Sequence, residues 1–251
     1  MVKKVIAFDL DETLTETRSL ITDEMAELLS QLLKKYHVCV ISGGSFEQFQ
    51  KQFIAGLKVS GKELEALHLM PTCGTKYYKF DSKQSDWQLV YAENFTPEEK
   101  KLIISALEKG IDEVGYRVNN PKGQLIEDRD SQITYSALGQ DAQPAEKKAW
   151  DPSGNKKRKI RDTVAAKIPQ FEVRAGGTTS IDITKQGIDK AYGMKKLIAI
   201  LGVSKEEILF IGDRLWEGGN DYPVKLMGID SIAVGGYEHT PWVVRGILAM
   251  T

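Results

Sequence analysis

Cysteine is almost missing. Cys39 and Cys73 are the only two in 251 residues, too few for a disulfide framework, so two free thiols in a reducing compartment are expected. Long apolar runs are missing too. The apolar stretch that follows Met1-Val2-Lys3-Lys4 stops at Asp9, too short for a signal peptide, and nowhere do 18 apolar residues follow one another. The expectation is a cytoplasmic chain with no membrane partner. Charge of one sign is also lacking: 34 Lys+Arg meet 35 Asp+Glu, a net charge of -1, which argues against a general nucleic-acid or membrane-surface binder. Histidine is scarce, and His37, His68 and His239 show no metal-ligand spacing.

What is present is ordinary for a folded enzyme. Hydrophobic residues make up 41% and charged residues 27%, too apolar a balance for disorder. Val5-Ile6-Ala7-Phe8 and Val38-Cys39-Val40-Ile41 read as strands covered on both faces. Between them Thr22 can cap a helix with Met25, Leu28, Leu29, Leu32 and Leu33 on one side. Phe46, Phe49, Phe53 and Leu57 suggest another. This βαβα order predicts a parallel sheet with helices on its faces.

The texture changes after Phe80. Thr96 and Glu99 form a capping box with Pro97 at the first helical position, opening a helix to about Val114. Short strands are expected near 124–127, 132–135, 171–174 and 180–183, with a helix over 156–168. The basic run from Lys156 to Arg161 reads as a solvated face of that helix, since no aromatics interleave it. The βα rhythm returns with a helix from Lys190, a strand at Ile208–Ile211 and another at Ser231–Val234. The fold class expected is therefore α/β: a Rossmann-like core of residues 1–82 and 186–251, with an inserted α+β domain over 83–185.

Four chemical elements lie at the ends of core strands or at the start of a core helix: Asp9-x-Asp11-x-Thr13, Ser42-Gly43, Lys190, and Gly212-Asp213 with Gly218-Gly219-Asn220-Asp221. In a parallel sheet the carboxyl ends of the strands share one edge, where ligands bind. In this order the elements resemble those of the haloacid dehalogenase superfamily of phosphoryl-transfer enzymes. The place of the insertion, between Ser42 and Lys190, is similar to the C2-type caps of its subfamily IIB. Asp9-Leu10-Asp11-x-Thr13-Leu14-Thr15-x-x-Arg18, Ile126-Glu127-x-Arg129, Ser136-x-x-Gly139, Gly176-Gly177-x-x-Ser180-x-Asp182 and Gly187-Ile188-Asp189-Lys190 further resemble the eukaryote-type phosphomannomutases and their bacterial relatives.

The resemblance implies roles that the chemistry explains. Asp9 would be the nucleophile, forming an aspartyl-phosphate, and Asp11 the general acid and base. Thr13, Ser42, Gly43 and Lys190 would bind phosphate oxygens. Mg²⁺ would be held by Asp9, Asp213 and the backbone carbonyl of Asp11, with Asn220 and Asp221 completing the acidic loop. Arg18, Arg129, Ser180 and Asp182 would contact a phosphosugar, the arginines pairing with a distal phosphate.

Three departures bear on the activity. Gln140 and Lys147 stand where the mutase pattern has arginines, and neither offers the guanidinium fork. Glu12 stands where that family usually has glycine. Without those arginines the grip on a bisphosphorylated intermediate is weaker, so hydrolysis of a sugar phosphate is expected ahead of the alternative, a phosphomannomutase or phosphoglucomutase using a sugar bisphosphate activator. A non-catalytic phosphosugar-binding module is a further alternative, and the resemblance leaves room for a homodimer.

Overall fold

The apolar runs near the two ends of the chain become neighbouring strands of one sheet in the computed structural model, which describes residues 2–250. In chain order the first unit contains β1 (Val5–Phe8), α1 (Asp23–Leu33), β2 (His37–Ile41), α2 (Phe46–Gln52), β3 (Leu67–Met70), β4 (Lys76–Asp81) and β5 (Asp86–Ala92). The second contains α3 (Pro97–Val114), β6 (Ile126–Asp128), β7 (Ile133–Ser136), α4 (Pro144–Trp150), α5 (Asn155–Lys167), β8 (Phe171–Ala175) and β9 (Ser180–Lys185). The chain then returns to the first unit with α6 (Lys190–Leu201), β10 (Ile208–Gly212), α7 (Tyr222–Leu226), β11 (Asp230–Ala233) and α8 (Thr240–Ala249). The two compact units are Met1–Ala92 with Asp189–Thr251, and Glu93–Ile188.

The seven strands of the first sheet run β11-β10-β1-β2-β3-β4-β5. They are parallel from β11 through β3 and antiparallel across β3–β4 and β4–β5. Successive side chains of a strand point to opposite faces, and both faces are covered. Ile6 and Phe8 join Val38, Val40 and the buried side of α1 in one core cluster. Val5 and Ala7 join Cys39, Ile41 and Met194 and Leu197 of α6 in another. This double burial explains why the strands read as continuous apolar runs. The α1 cap forms as expected: Thr22 Oγ1 accepts a hydrogen bond from the Met25 amide at 3.2 Å.

The edge of this sheet departs from the sequence reading. The β4–β5 hairpin extends the core by two antiparallel strands, so the expected division at 82/83 falls inside a hairpin, and the units part at 92/93 and 188/189. Strands with the texture Lys-Tyr-Tyr-Lys-Phe-Asp and Asp-Trp-Gln-Leu-Val-Tyr-Ala are only partly buried, and half-buried strands lack the apolar run that marks central ones.

In the second unit four antiparallel strands are ordered β6-β7-β9-β8. Ile133, Tyr135, Ile181, Ile183, Phe171 and Val173 pack against Ile103, Leu107 and Ile111 of α3 and Ile160 and Val164 of α5. Alternate residues, including Thr134, Ser136, Ser180 and Asp182, give the sheet a polar face. Helix α4 is not among the expected elements: it has Pro144 in its first turn and a Gln143–Glu146 capping box but no apolar stripe, because none of its residues is buried. On α5, Lys156 lies 5.3 Å from the Trp150 ring centroid, Lys157 Nζ donates to the Gly177 carbonyl at 2.7 Å and Arg161 pairs with Asp162 at 2.6 Å. Local contacts thus account for much of this basic run. Cys39 and Cys73 are free thiols. No helix among the described residues is long and apolar enough to cross a membrane.

Candidate active site

The neighbouring parallel strands β2, β1 and β10 end at Ile41, Phe8 and Gly212, so Ser42, Asp9 and Asp213 emerge at one edge. The Asp9 amide is still tied to the Ile211 carbonyl at 3.0 Å. Lys190 is the first residue of α6, fixed there by Asp189, whose side chain accepts from the Tyr192 amide at 2.9 Å. Gly193, one turn on, lets this helix come close: a Cβ there would lie 2.4 Å from Ile41 Cδ1 and 2.7 Å from the Cys73 carbonyl oxygen. Gly212 has a similar use, since a Cβ on it would lie 2.5 Å from Asp221 Oδ2.

These constraints deliver a buried ion cluster. Lys190 Nζ donates to Asp9 Oδ1 and to Asp221 Oδ1, both at 2.5 Å. Lys190 is 1% exposed, Asp9 3% and Asp221 0%. Asp221 Oδ2 accepts from the Arg214 amide at 3.0 Å, which closes the β10–α7 loop upon itself. Thr13 Oγ1 lies 3.5 Å from Asp9 Oδ2. One carboxylate oxygen from each of Asp9, Asp213 and Asp221 falls within 4.8 Å of the others.

The electrostatics are unbalanced. Burial pushes the Asp9 carboxyl well above the usual range against the pull of Lys190, and Asp221 adds to the rise. Burial likewise raises Asp213. For Lys190 burial opposes the charge, but Asp221 and Asp9 outweigh it and the ammonium is held more firmly than usual. Three carboxylates face the Lys190 ammonium and the Arg214 guanidinium, the latter 3.4 Å from Asp213 Oδ2, which leaves a donor set of hard oxygens short of positive charge. It suits a divalent cation of the magnesium type.

The sequence profile of the haloacid dehalogenase-like hydrolases matches residues 6–224, most of the chain. The chain belongs to that family. As a haloacid dehalogenase-like protein it is an enzyme, a phosphatase or a phosphomutase, and the reading as a non-catalytic module is set aside. The phosphomannomutase of Encephalitozoon cuniculi is 28% identical over 247 residues, 95% of this chain and 91% of that protein. The phosphomannomutase of Spinacia oleracea is 28% identical over 88% of this chain and 85% of its own length. Among solved structures, a truncated IMP-nucleotidase of Plasmodium falciparum superposes with a TM-score of 0.72 at 17% identity, over 100% of this chain and 71% of that one. A trehalose-6-phosphate phosphatase related protein gives 0.58 at 16% identity over 98% of both. These two likenesses concern the fold.

Within this haloacid dehalogenase-like core the remaining expected residues fall as follows. Ser42 is buried, its Oγ accepting from the Gly44 amide at 3.1 Å, with Gly43 between them. The Asp11 carboxyl, raised by burial, stands apart from the Asp9–Asp213–Asp221 group; the Arg18 backbone amide and Gln52 Nε2, the latter 3.3 Å from Asp11 Oδ1, stabilise its charged form. Asn220 is exposed, next to Asp221 in the chain. Arg18 is exposed, with a left-handed backbone of φ 62°.

Glu12 stands at a backbone position that favours glycine, with φ 60°. Its Oε1 accepts from the Thr17 hydroxyl at 2.7 Å and the Thr17 amide at 3.1 Å, which offsets the strained backbone. Glu12→Gly relieves about 1 kcal/mol of strain and loses those two bonds, so its unfolding free energy should stay within about 1 kcal/mol of wild type. Glu12→Ala keeps the strain and loses the bonds, and should cost about 1–2 kcal/mol in a denaturant titration.

Apart from Arg18, the expected sugar-contact residues lie on the second unit, and nearly all have partners there. Arg129 is buried and its Nη2 pairs with Glu127 Oε2 at 2.7 Å; Asp128 and Asp130 pair with Lys100, each at 2.9 Å. Asp182 Oδ1 accepts from Thr134 Oγ1 at 2.7 Å and Gln132 Nε2 at 3.0 Å, and burial raises its carboxyl. Ser180 Oγ faces Ser136 Oγ at 3.4 Å. Gln140 is buried, and Lys147 Nζ donates to its backbone carbonyl at 2.9 Å.

Two features escaped the sequence reading. The grip of Asp221 on Lys190 spans 31 residues and has no local signature. Gln52 is 3% exposed on α2, and its signal was a polar residue set beside Phe49 and Phe53 in an apolar stripe.

Proposed function

We propose that this enzyme hydrolyses a phosphorylated sugar through an aspartyl-phosphate on Asp9, with Mg²⁺ as cofactor. The observation that carries the reading is the Asp9 carboxylate, held by buried Lys190 beside Asp213 and Asp221, with Asp11 two residues further on. An Asp9 oxygen attacks phosphorus, the bond from phosphorus to the sugar oxygen breaks, and Asp11 gives that oxygen a proton. Asp11 then takes a proton from water as the water oxygen attacks the same phosphorus. The bond to Asp9 breaks, leaving inorganic phosphate and a free carboxylate. Lys190, Thr13, Ser42 and the Gly43 amide hold the non-bridging oxygens. Asp9, Asp213 and the Asp11 carbonyl would bind Mg²⁺, with Asp221 and Asn220 behind them, and the ion would offset repulsion between the carboxylates and the phosphate.

The sugar is drawn from the relatives, phosphomannomutases by name. Arg18, Arg129, Ser180 and Asp182 are the side chains proposed for its hydroxyls and any distal phosphate. Water is the favoured acceptor because Gln140 is neutral and Lys147 is engaged with a backbone carbonyl, so neither supplies a guanidinium fork for a second phosphate.

The names of those same relatives favour a second reading, a hexose phosphomutase primed by a sugar bisphosphate. Mannose 1-phosphate given with a hexose 1,6-bisphosphate separates the two. Free phosphate without isomer supports hydrolysis, and 6-phosphate without free phosphate overturns it. Gln140→Arg should raise the ratio of isomer to phosphate several-fold, measured by following both products together; an unchanged ratio removes the acceptor argument.

A further inference from the structure

Helix α2 opens and closes on the proposed site. Its capping box, in which the Ser45 amide donates to Gln48 Oε1 at 2.9 Å, follows directly on the Ser42–Gly44 turn. Its last residue is Gln52, whose Nε2 reaches Asp11 Oδ1 at 3.3 Å. The Gln52 backbone is pinned as well, its carbonyl accepting from the Ile21 amide at 2.8 Å. A glutamine at 3% exposure loses hydration on both amide atoms, yet only Nε2 has a partner: Oε1 is buried with none among the described residues. Buried polar atoms without partners are rare, and they carry a cost that a leucine of similar volume would avoid. A structural role alone gives no reason for the amide.

An amide beside a carboxyl that must give and regain a proton does have a reason. Its NH₂ group donates to the carboxylate, and its carbonyl, once the amide turns, accepts from the carboxylic acid. A leucine can do neither, and an asparagine is one methylene too short.

We propose that Gln52 is a positioning residue that holds the Asp11 carboxyl in line with the leaving oxygen in both of its states. This rests on the reading of Asp11 as general acid and base. It predicts a dependence on leaving group that a purely structural residue would not produce. For p-nitrophenyl phosphate the leaving oxygen departs as a stable anion, so transfer to Asp9 needs no proton. A sugar oxygen needs one.

The test compares kcat/KM, which reports the steps through the first phosphoryl transfer, for p-nitrophenyl phosphate and mannose 1-phosphate. Gln52→Leu should lower the sugar value by about 10- to 100-fold and leave the aryl value within about threefold. In an Asp11→Asn background, the further change Gln52→Leu should have little added effect on sugar turnover, because the proton transfer that Gln52 positions is already lost. Equal losses on both substrates, no loss on either, or full additivity with Asp11→Asn would each overturn the proposal. A Gln52→Leu protein that melts well below wild type is replaced by Gln52→Met, judged by the same substrate ratio. Wild-type protein that releases phosphate from the aryl ester but leaves mannose 1-phosphate unchanged counts against the sugar-phosphate reading, and Gln52 is then judged on benzyl phosphate, whose alkoxide also needs a proton. Wild-type protein inactive on all three esters overturns the general-acid reading and the role of Gln52 with it.

Discussion

Asp9→Asn should lower phosphate release by at least about 10⁴-fold without lowering the melting temperature. The loss follows from chemistry, because an amide oxygen is a poor nucleophile and an acyl-phosphate cannot form on it. The unchanged or raised stability follows from the ion cluster. Asp9 is buried, its carboxyl is pushed up by that burial, and Asp221 repels it. An asparagine has the same shape and no charge, while Lys190 keeps Asp221 as its partner. Phosphate release and a thermal melt on the same preparation check both halves. A variant that loses activity by unfolding would show that Asp9 acts as a structural counter-ion.

Lys190→Met should be as damaging for a different reason. Removing the ammonium leaves Asp9 and Asp221 buried without their nearest cation, and breaking a buried pair from one side costs about 3–5 kcal/mol. The preorganised charge facing the phosphate is lost too, worth about 10²–10³ in kcat. Since Asp9 and Asp221 have then lost Lys190, and Arg214 stands only beside Asp213 at 3.4 Å, Mg²⁺ should raise the melting temperature of this variant more than that of wild type. Melts in chelator and in Mg²⁺ measure the difference. Equal increments in the two proteins would separate the metal from the Asp9–Asp213–Asp221 group.

Much of the site was legible because charge ends an apolar run so abruptly. Asp9 follows four buried residues of β1 and Asp213 follows β10, and carboxylates in such places need a stated purpose. Lys190 was legible through Asp189, which announces a helix start. The Asp221–Lys190 pair was hidden, because a contact across 31 residues is made by packing. The β4–β5 hairpin was hidden by its partial exposure, which blends polar and apolar residues. Glu12 could be marked only as a departure from a family pattern; its left-handed backbone and the two bonds to Thr17 that hold it emerge from the fold. Gln52 left a faint trace, a polar residue in the stripe of Phe46, Phe49 and Phe53, and a stripe alone does not say what the amide faces.

The central claim is that Asp9 carries the phosphoryl group during turnover. Brief exposure of the Mg²⁺-loaded enzyme to a sugar phosphate, an acid quench and peptide mass analysis test it most directly. We predict one phosphoryl group on the peptide that contains Asp9, formed fast enough to account for turnover and missing from Asp9→Asn. Phosphate release at the full rate with no protein-bound phosphoryl, or with the group on another residue, would contradict it.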